Sequence, residues 1–303
     1  MACDVRTLGP GDEKALLAFL EASYETSMTM IGNLIVGGLE DRGEAHQATY
    51  VAAYEGSEIA AALAHLWNGM LLPQAPDHLA PLLIAVMTET GRFVRGATGP
   101  AAQVERILAL LGLPRAPCPD VLIDERQGLF RLDLTGRARW RRPADPGGER
   151  DEVGPAWLAE QRDVEELVRA RVAFMVETLG RTDDDELRGE CLASVRLHLE
   201  ERTLWIVEEA GDVLAMSAFL TALPEAVLMG GVYTRPSRRG RGLARRALEA
   251  SLDAARRRGV RSALLSVADT NAPAVRLYES LGFRRVDDFH TYLLRATSFP
   301  MDE

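Results

Sequence analysis

In the second half of the chain the apolar positions alternate between short strand-like runs and longer helical stripes. "TLWIV" (203–207) and "VLAMSAFL" (213–220) flank the polar "EEAGD", which predicts a hairpin. "AVLMGGVYT" (226–234) predicts a third strand. Over 243–258, Leu243, Ala247, Leu248, Leu252 and Ala255 recur at helical spacing, and Gly259 marks the stop. "VRSALLSV" (260–267) reads as a buried strand. The next helix, "NAPAVRLYESLG", opens on Asn271 as N-cap, has Pro273 in its first turn and closes at Gly282. "FRRVDDFHTYLL" supplies final strand material, and 160–200 carries one or two amphipathic helices broken near "LGRTDDD".

The first half shows a similar order. "ATYVAAY" and "EIAAALAHLW" flank "EGS", and the "NG" at 68–69 is a turn signal before "MLLPQ". A helix follows at about 78–90, then the strand-like "RFVRGA", the helix "AAQVERILALLG" and the strand "GLFRLDLT". Strand, strand, strand, helix, strand, helix, strand is thus written twice, which points to an internal duplication. Between the copies, "RARWRRPADPGGERDEVGP" (137–155) is polar, charge-dense and rich in proline and glycine, without an apolar period. The expected organisation is a domain over 1–140, a linker over 141–155 and a second domain over 156–303.

Composition narrows the function. The 303 residues are 47% hydrophobic and 26% charged, ordinary for a soluble protein of two domains. No apolar run is long enough to span a membrane, and the start "MACDVRTLGPGDEK" lacks the build of a signal peptide. The expectation is a cytoplasmic protein without membrane partners. Cys3, Cys118 and Cys191 are odd in number and widely spaced, as suits reduced thiols, and neither they nor the histidines have metal-ligand spacing. No metal is expected. The net charge of −10 would repel a phosphate polymer, so no nucleic-acid partner is expected either.

Against that acidic background, "TRPSRRGRGLARRALEA" (234–250) crowds arginines into the step from strand to helix. A helix N-terminus offers unpaired N–H groups and a partial positive charge, which suits phosphate. Gly240 and Gly242 let the backbone approach an anion without a Cβ in the way. Arg238, Arg239, Arg241 and Arg245 add charge and forked hydrogen bonds. The spacing fits neither G-x-x-x-x-G-K-[ST] nor G-x-G-x-x-G, since the third position after Gly242 is Arg245. A tight turn leading into a solvated arginine-rich helix face is the competing reading of the turn alone.

The following helix decides between them. In "NAPAVRLYESLGF", Asn271, Val275 and Tyr278 share one face. This half resembles the GNAT-family N-acetyltransferases, whose pyrophosphate loop reads roughly Gln/Arg-x-x-Gly-x-Gly/Ala. Their next helix often carries Asn-x-x-Ala-x-x-x-Tyr-x-x-x-Gly-Phe. Asn271, Ala274, Tyr278, Gly282 and Phe283 match that pattern, and Gly240 and Gly242 match the loop. Ser237 stands where Gln or Arg is usual, a departure that removes a side-chain contact but spares the backbone cradle. The resemblance covers about 156–295. The duplicated layout and the size also resemble mycothiol-synthase-like enzymes.

The resemblance implies an α/β (α+β) fold of two mixed-sheet domains, each a largely antiparallel sheet with flanking helices and a splayed cofactor cleft. It implies acetyl-CoA as co-substrate. Main-chain groups of Val232, Tyr233 and Thr234 would meet the acetyl and pantetheine portions. Arg238, Arg239, Gly240, Arg241, Gly242, Leu243, Ala244 and Arg245 would hold the pyrophosphate. Asn271 would contact the pantetheine arm, and Tyr278 would lie beside the thioester sulfur as the acid that protonates the leaving thiolate. In the first half, Leu108 stands opposite Tyr278 and Ala101 opposite Asn271, and "LPQAPDHLA" has neither the glycine pair nor an arginine. That half is expected to be a degenerate repeat.

The implied reaction is direct attack of a primary amine, of a small molecule or a peptide, on the thioester. It also needs an acceptor for the ammonium proton. Glu225 adjoins the expected strand position at Ala226 but faces the other way in a regular strand. Glu177, Asp287 and His290 lie in segments that usually border the acceptor pocket of such enzymes, and a water chain is the alternative. The acidic "TDDDE" (182–186) either attracts a cationic amine or simply caps helices. The competing functional readings are a non-catalytic acyl-CoA-binding module and mycothiol-synthase-like acetylation of an amino-sugar thiol precursor.

Overall fold

The computed structural model describes residues 4–136 and 156–295, so the expected linker 141–155 lies outside the described residues. The chain runs β1 (Asp4–Thr7), α1 (Glu13–Glu21), α2 (Tyr24–Gly37), β2 (Ala48–Glu55), β3 (Glu58–Leu66), β4 (Met70–Gln74), α3 (Leu79–Thr90), β5 (Gly96–Pro100), α4 (Ala101–Leu110) and β6 (Val121–Asp133). It continues with β7 (Trp157–Leu158), α5 (Val164–Leu179), α6 (Asp185–Glu201), β8 (Leu204–Glu209), β9 (Asp212–Ala222), β10 (Ala226–Thr234), α7 (Leu243–Arg257), β11 (Ser262–Ala268), α8 (Ala272–Leu281) and β12 (Arg284–Leu294). The second ten elements repeat the type and order of the first ten, which is the expected duplication, extended at its front by β1, α1 and α2.

The chain forms two units, Met1–Leu129 with Asp287–Glu303, and Phe130–Val286. The first is a mixed sheet ordered β1-β2-β3-β4-β5-β12-β6, with β1/β2, β2/β3, β3/β4 and β5/β12 antiparallel and β4/β5 parallel. Its core gathers Leu63, Leu71, Leu79, Leu82, Ile107 and Tyr292. The second unit is ordered β6-β11-β10-β9-β8-β7, with β10 and β11 parallel and the hairpins β7/β8, β8/β9 and β9/β10 antiparallel. There α7 buries Leu243, Ala247, Leu248, Leu252 and Ala255, the stripe read from the sequence. Both units are mixed α/β.

Two strand readings need correction. "RFVRGA" was the expected strand, but the strand is Gly96–Pro100, and a Cβ at Gly96 would lie 2.3 Å from the Tyr292 carbonyl oxygen. The tail strand, expected with the second half, instead pairs Phe289–Leu293 with Pro100–Gly96 in the first unit. The reason is chemical fit. Tyr292 is fully buried there, its hydroxyl donates to the Pro114 carbonyl at 2.6 Å, and Thr291 meets Thr98 at 3.0 Å.

Among the described residues no helix is long and apolar enough to cross a membrane, and no group of three or more His, Cys, Asp or Glu is placed to hold a metal.

Two buried histidines give the fold an acid limit. His65 in β3 contacts the Thr90 hydroxyl at 3.0 Å, and His198 in α6 contacts the Thr203 hydroxyl at 2.8 Å. Burial first, and then the charge of Arg92 or Arg171 respectively, lowers each pKa to about 4. An unfolded histidine titrates near ~6.5, so the unfolded chain takes up these protons first. Stability is therefore full above that pH, falls as pH drops from about 6.5 to about 4, and levels off below. Each histidine contributes on the order of 3 kcal/mol to the loss. The lowered Asp41 and Asp124 carboxyls act only below the ordinary carboxylate range, so they leave this window to the histidines. Thermal melts across pH 7 to 4 should show the decline, and a flat Tm would refute it.

Candidate functional site

A cleft opens in the second unit because β10 parts from β11 and bulges against β9. It pairs with β11 only over Ala226–Leu228, opposite Ser262–Leu264, although β10 runs on to Thr234 and β11 to Ala268. Against β9, three steps of β10 from Gly230 to Tyr233 oppose two steps from Ala218 to Met216. One extra residue is a bulge, and a bulge bends and twists its strand. Gly231 occupies it with φ +59°, a conformation that favours glycine. The ends of β10 and β11 therefore diverge, as the resemblance implied.

The loop after β10 passes through a 3-10 turn, Pro236–Arg238, and enters α7 at Gly242. Gly240 (φ +78°) and Gly242 (φ +72°) are both left-handed, and a Cβ on either would meet nothing within 4 Å. Gly242 is the N-cap and has no side chain to cap the helix; the first helical bond runs from the Arg246 N–H to the Gly242 carbonyl. A helix N-terminus that is uncapped and reached by glycines is a ready anion cradle. The residues present fit a pyrophosphate by their backbone.

The arginines are more committed than the sequence suggested. Arg238 lies 3.1 Å from Glu209. Arg239 grips both oxygens of Glu177 at 2.5 and 2.7 Å and donates to the Thr234 carbonyl. Arg245 holds Glu249 at 2.8 Å and Ser280 at 2.9 Å. Arg241 is exposed. The Leu243 side chain is core, so Leu243 can offer an anion only its N–H.

On the far side of the cleft, Asn271 caps α8, its Oδ1 accepting from the Ala274 N–H at 3.3 Å. Pro273 follows in the first turn, and Gly282 closes the helix at φ +98°. Val275 and Tyr278 face inward as one stripe. Tyr278 is 6% exposed and meets Phe283 edge-on at 5.9 Å. Its hydroxyl makes no hydrogen bond among the described residues, and burial pushes its pKa up. Tyr233 sits on the other face against Phe174, its phenol raised by burial and then by Glu177.

The candidate bases do not converge. Glu177 is taken by Arg239. Asp287 is exposed and accepts from the Asp288 N–H. Glu225 is exposed beside Arg261. His290 is contrary to expectation: it belongs to the first unit, is 1% exposed and lies 2.9 Å from Asp124. The run 182–186 is used for structure, Asp184 capping α6 through the Leu187 N–H and Asp183 chelating Arg188.

The corresponding place in the first unit is filled. The Ala75 N–H, at the end of β4, donates to Gln103 of α4 at 2.7 Å, and Gln74 accepts from Thr26 and Ser27. β4 and β5 likewise pair only at Met70–Leu71 with Gly96–Ala97, but a Cβ on Gly99 would stand 3.0 Å from Pro73, so these two strands stay in contact beyond their ladder. Leu108 and Ala101 are buried.

One residue escaped the sequence reading. Arg171 of α5 projects toward the β10 bulge, its Nη1 3.7 Å from where a Gly231 Cβ would be. The signal was present: Arg171 interrupts the inward stripe of Leu167, Ala170 and Phe174.

Residues 164–283 match the acetyltransferase (GNAT) family. A mycothiol acetyltransferase of Beutenbergia cavernae is 37% identical over 217 residues, covering 69% of this chain and 68% of its own. Among solved structures, a tandem GNAT protein from the clavulanic acid biosynthesis pathway superposes with TM-score 0.58 at 14% identity, over 99% of this chain and all of that one. A GCN5-related N-acetyltransferase from Sphaerobacter thermophilus gives TM-score 0.58 at 16% identity, over 96% of this chain and 94% of its own. At these identities the two structures speak for the fold alone.

Proposed function

The chain belongs to the acetyltransferase (GNAT) family, and from that premise we propose that it moves the acetyl group of acetyl-CoA onto a primary amine by direct attack. The observation that carries the reading is the parting of β10 from β11, which leads to an uncapped helix start reached through two left-handed glycines. Acetyl-CoA, when bound, supplies an activated thioester carbonyl. The N–H groups at Gly242, Leu243 and Ala244 hold the pyrophosphate, with Arg241 and the acid-paired arginines behind them. Main-chain groups of Val232, Tyr233 and Thr234 orient the acetyl end, and the spare amide of Asn271 meets the pantetheine arm. Tyr278 Oη keeps the proton that the departing sulfur needs. We assign the acceptor's proton to water, because among the described residues no carboxylate converges on the bulge. The 37% relative supports a second reading of the acceptor, an amino-sugar thiol precursor as in mycothiol-synthase-like acetylation.

The test is calorimetry with acetyl-CoA beside a thiol-release screen of amines. One site per chain is expected. Gly242→Val places a branched residue in a left-handed conformation and a side chain in the cradle, so affinity should fall roughly 10–100-fold or more. Two equivalent sites would contradict the assignment of binding to the second unit, and binding without turnover of any amine would favour the non-catalytic module.

A further inference from the structure

Among the described residues Arg171 is a cation without a counter-charge. Its α5 neighbours Leu167 and Ala170 are buried with Ala218 and Tyr233, so the side chain lies on the inner face of the helix. The guanidinium reaches the β10 bulge, its Nη1 at ordinary contact distance, 3.7 Å, from where a Gly231 Cβ would lie. Among the described residues it has no hydrogen bond or ion pair. The titratable groups near it are Cys191 and His198 of α6. Burial raises the first, and burial with the charge of Arg171 lowers the second to about 4, so both are neutral at pH 7. Burial lowers the pKa of Arg171, yet the residue is only half-buried, so its guanidinium stays open to a ligand. Arg235, Arg238, Arg239 and Arg245, on the loop and helix beyond, each face a glutamate.

A half-buried guanidinium on the inner face of α5, with no partner among the described residues, is placed to receive an anion that approaches the bulge, and such an anion would offset its partial desolvation. The pyrophosphate is not that anion. Its cradle begins at Gly240, and the three strand residues after Gly231 alone span about 10 Å. The anion must belong to whatever approaches the bulge from the α5 side, opposite the α7 and α8 side of the cleft.

We propose that Arg171 binds a carboxylate of the acceptor, and that the acceptor class is a free amino acid or close analogue, with amine and carboxylate separated by one or two carbons. The planar fork of arginine matches a carboxylate with two parallel hydrogen bonds, and the short bridge sets the amine beside the main chain of Val232. The assignment rests on the acetyltransferase reading and adds the substrate class to it.

The experiment uses the full chain with CoA present. Lysine, tyrosine and histidine are compared with cadaverine, tyramine and histamine, and their N-acetyl forms likewise, by calorimetric binding and by thiol release from acetyl-CoA. At least one carboxylate-bearing member should bind, and turn over, 10-fold or more better than its decarboxylated partner. Arg171→Met should erase that preference, lowering kcat/KM for the amino acid about 100-fold while acetyl-CoA affinity is kept. Arg171→Lys should restore part of it. Because Met keeps the packing of the stem and removes a half-buried charge without a partner among the described residues, the Tm of Arg171→Met should stay close to or above that of wild type. A preference for the decarboxylated series, no binding by either series, or a destabilised variant that weakens both series alike would overturn the proposal. Carboxylate-selective binding without thiol release would leave the anion site standing and remove the transfer reaction instead.

Discussion

Tyr278→Phe is expected to lower kcat for acetyl transfer by roughly 10²–10⁴-fold, with acetyl-CoA affinity close to wild type. The ring belongs to the core of the second unit, packed with Leu281 and edge-on to Phe283, and phenylalanine preserves all of that contact. The deleted hydroxyl makes no hydrogen bond among the described residues, so no partner is stranded and the melting temperature should hold or rise. Burial raises the phenol's pKa, which keeps the proton in place throughout the neutral range. A thiol of the cysteine type titrates near ~8.5 in water, below a phenol at ~10. In the same apolar surroundings a free thiolate is disfavoured as well, so the gap between the two acids does not widen as it would if the phenol alone were buried. One consequence is separable from the rate loss: wild-type kcat should show no alkaline fall from this residue up to about pH 9. Single-turnover measurements decide the matter. A rate for the Tyr278→Phe variant equal to wild type, where chemistry limits, would leave Tyr278 as packing only.

The parts of this site that were legible in the sequence are those fixed by local geometry. Asn271, Pro273 and Gly282 mark the ends of α8 because caps act within one turn. Gly240 and Gly242 announce left-handed backbone, and the α7 stripe announces a buried face. What stayed hidden depends on partners distant in sequence. Nothing near Arg239 says that Glu177, 62 residues earlier, will neutralise it. The first helices carry ordinary signals, Asp12 and Ser23 at their N-caps and Leu16 and Leu20 one turn apart, although neither cap residue makes its side-chain bond. Nor does a bulge reveal itself as a pattern, since Gly230 and Gly231 in a strand are equally compatible with an unbulged edge. Arg171 was visible as a charge on an apolar stripe, but its lack of a partner is a property of the folded unit. His290 shows the converse error, a residue given a role by its place in the chain and then carried to the first unit by its strand.

Ending the chain at Val286 is expected to unfold the first unit, although the removed strand is far away in sequence, Thr291 lying 193 positions from its partner Thr98. Asp287–Glu303 contributes the strand segment that pairs with β5 through Phe289–Leu293, and the truncation deletes that entire ladder. Tyr292 is fully buried and Leu294 is 2% exposed, both in the first unit's core. Truncating residues of these kinds to alanine costs about 3–5 and 2–5 kcal/mol respectively. Asp124, 5% exposed at its side chain, would also lose the His290 ring at 2.9 Å, leaving its carboxylate more dependent on Arg115. Domains are stable by only about 5–15 kcal/mol, so the loss of two core side chains and a strand ladder consumes most or all of that margin. The first unit should then exchange its β2, β3 and β4 amides rapidly in hydrogen-exchange measurements, and the exposed edge of β5 should promote aggregation. A synthetic peptide of residues 287–295 added during refolding should restore protection, because it carries the paired strand and both core side chains. A chain ending at Val286 that protects those amides as well as the full-length protein does would show that the strand is an accessory to the first unit and not part of its core.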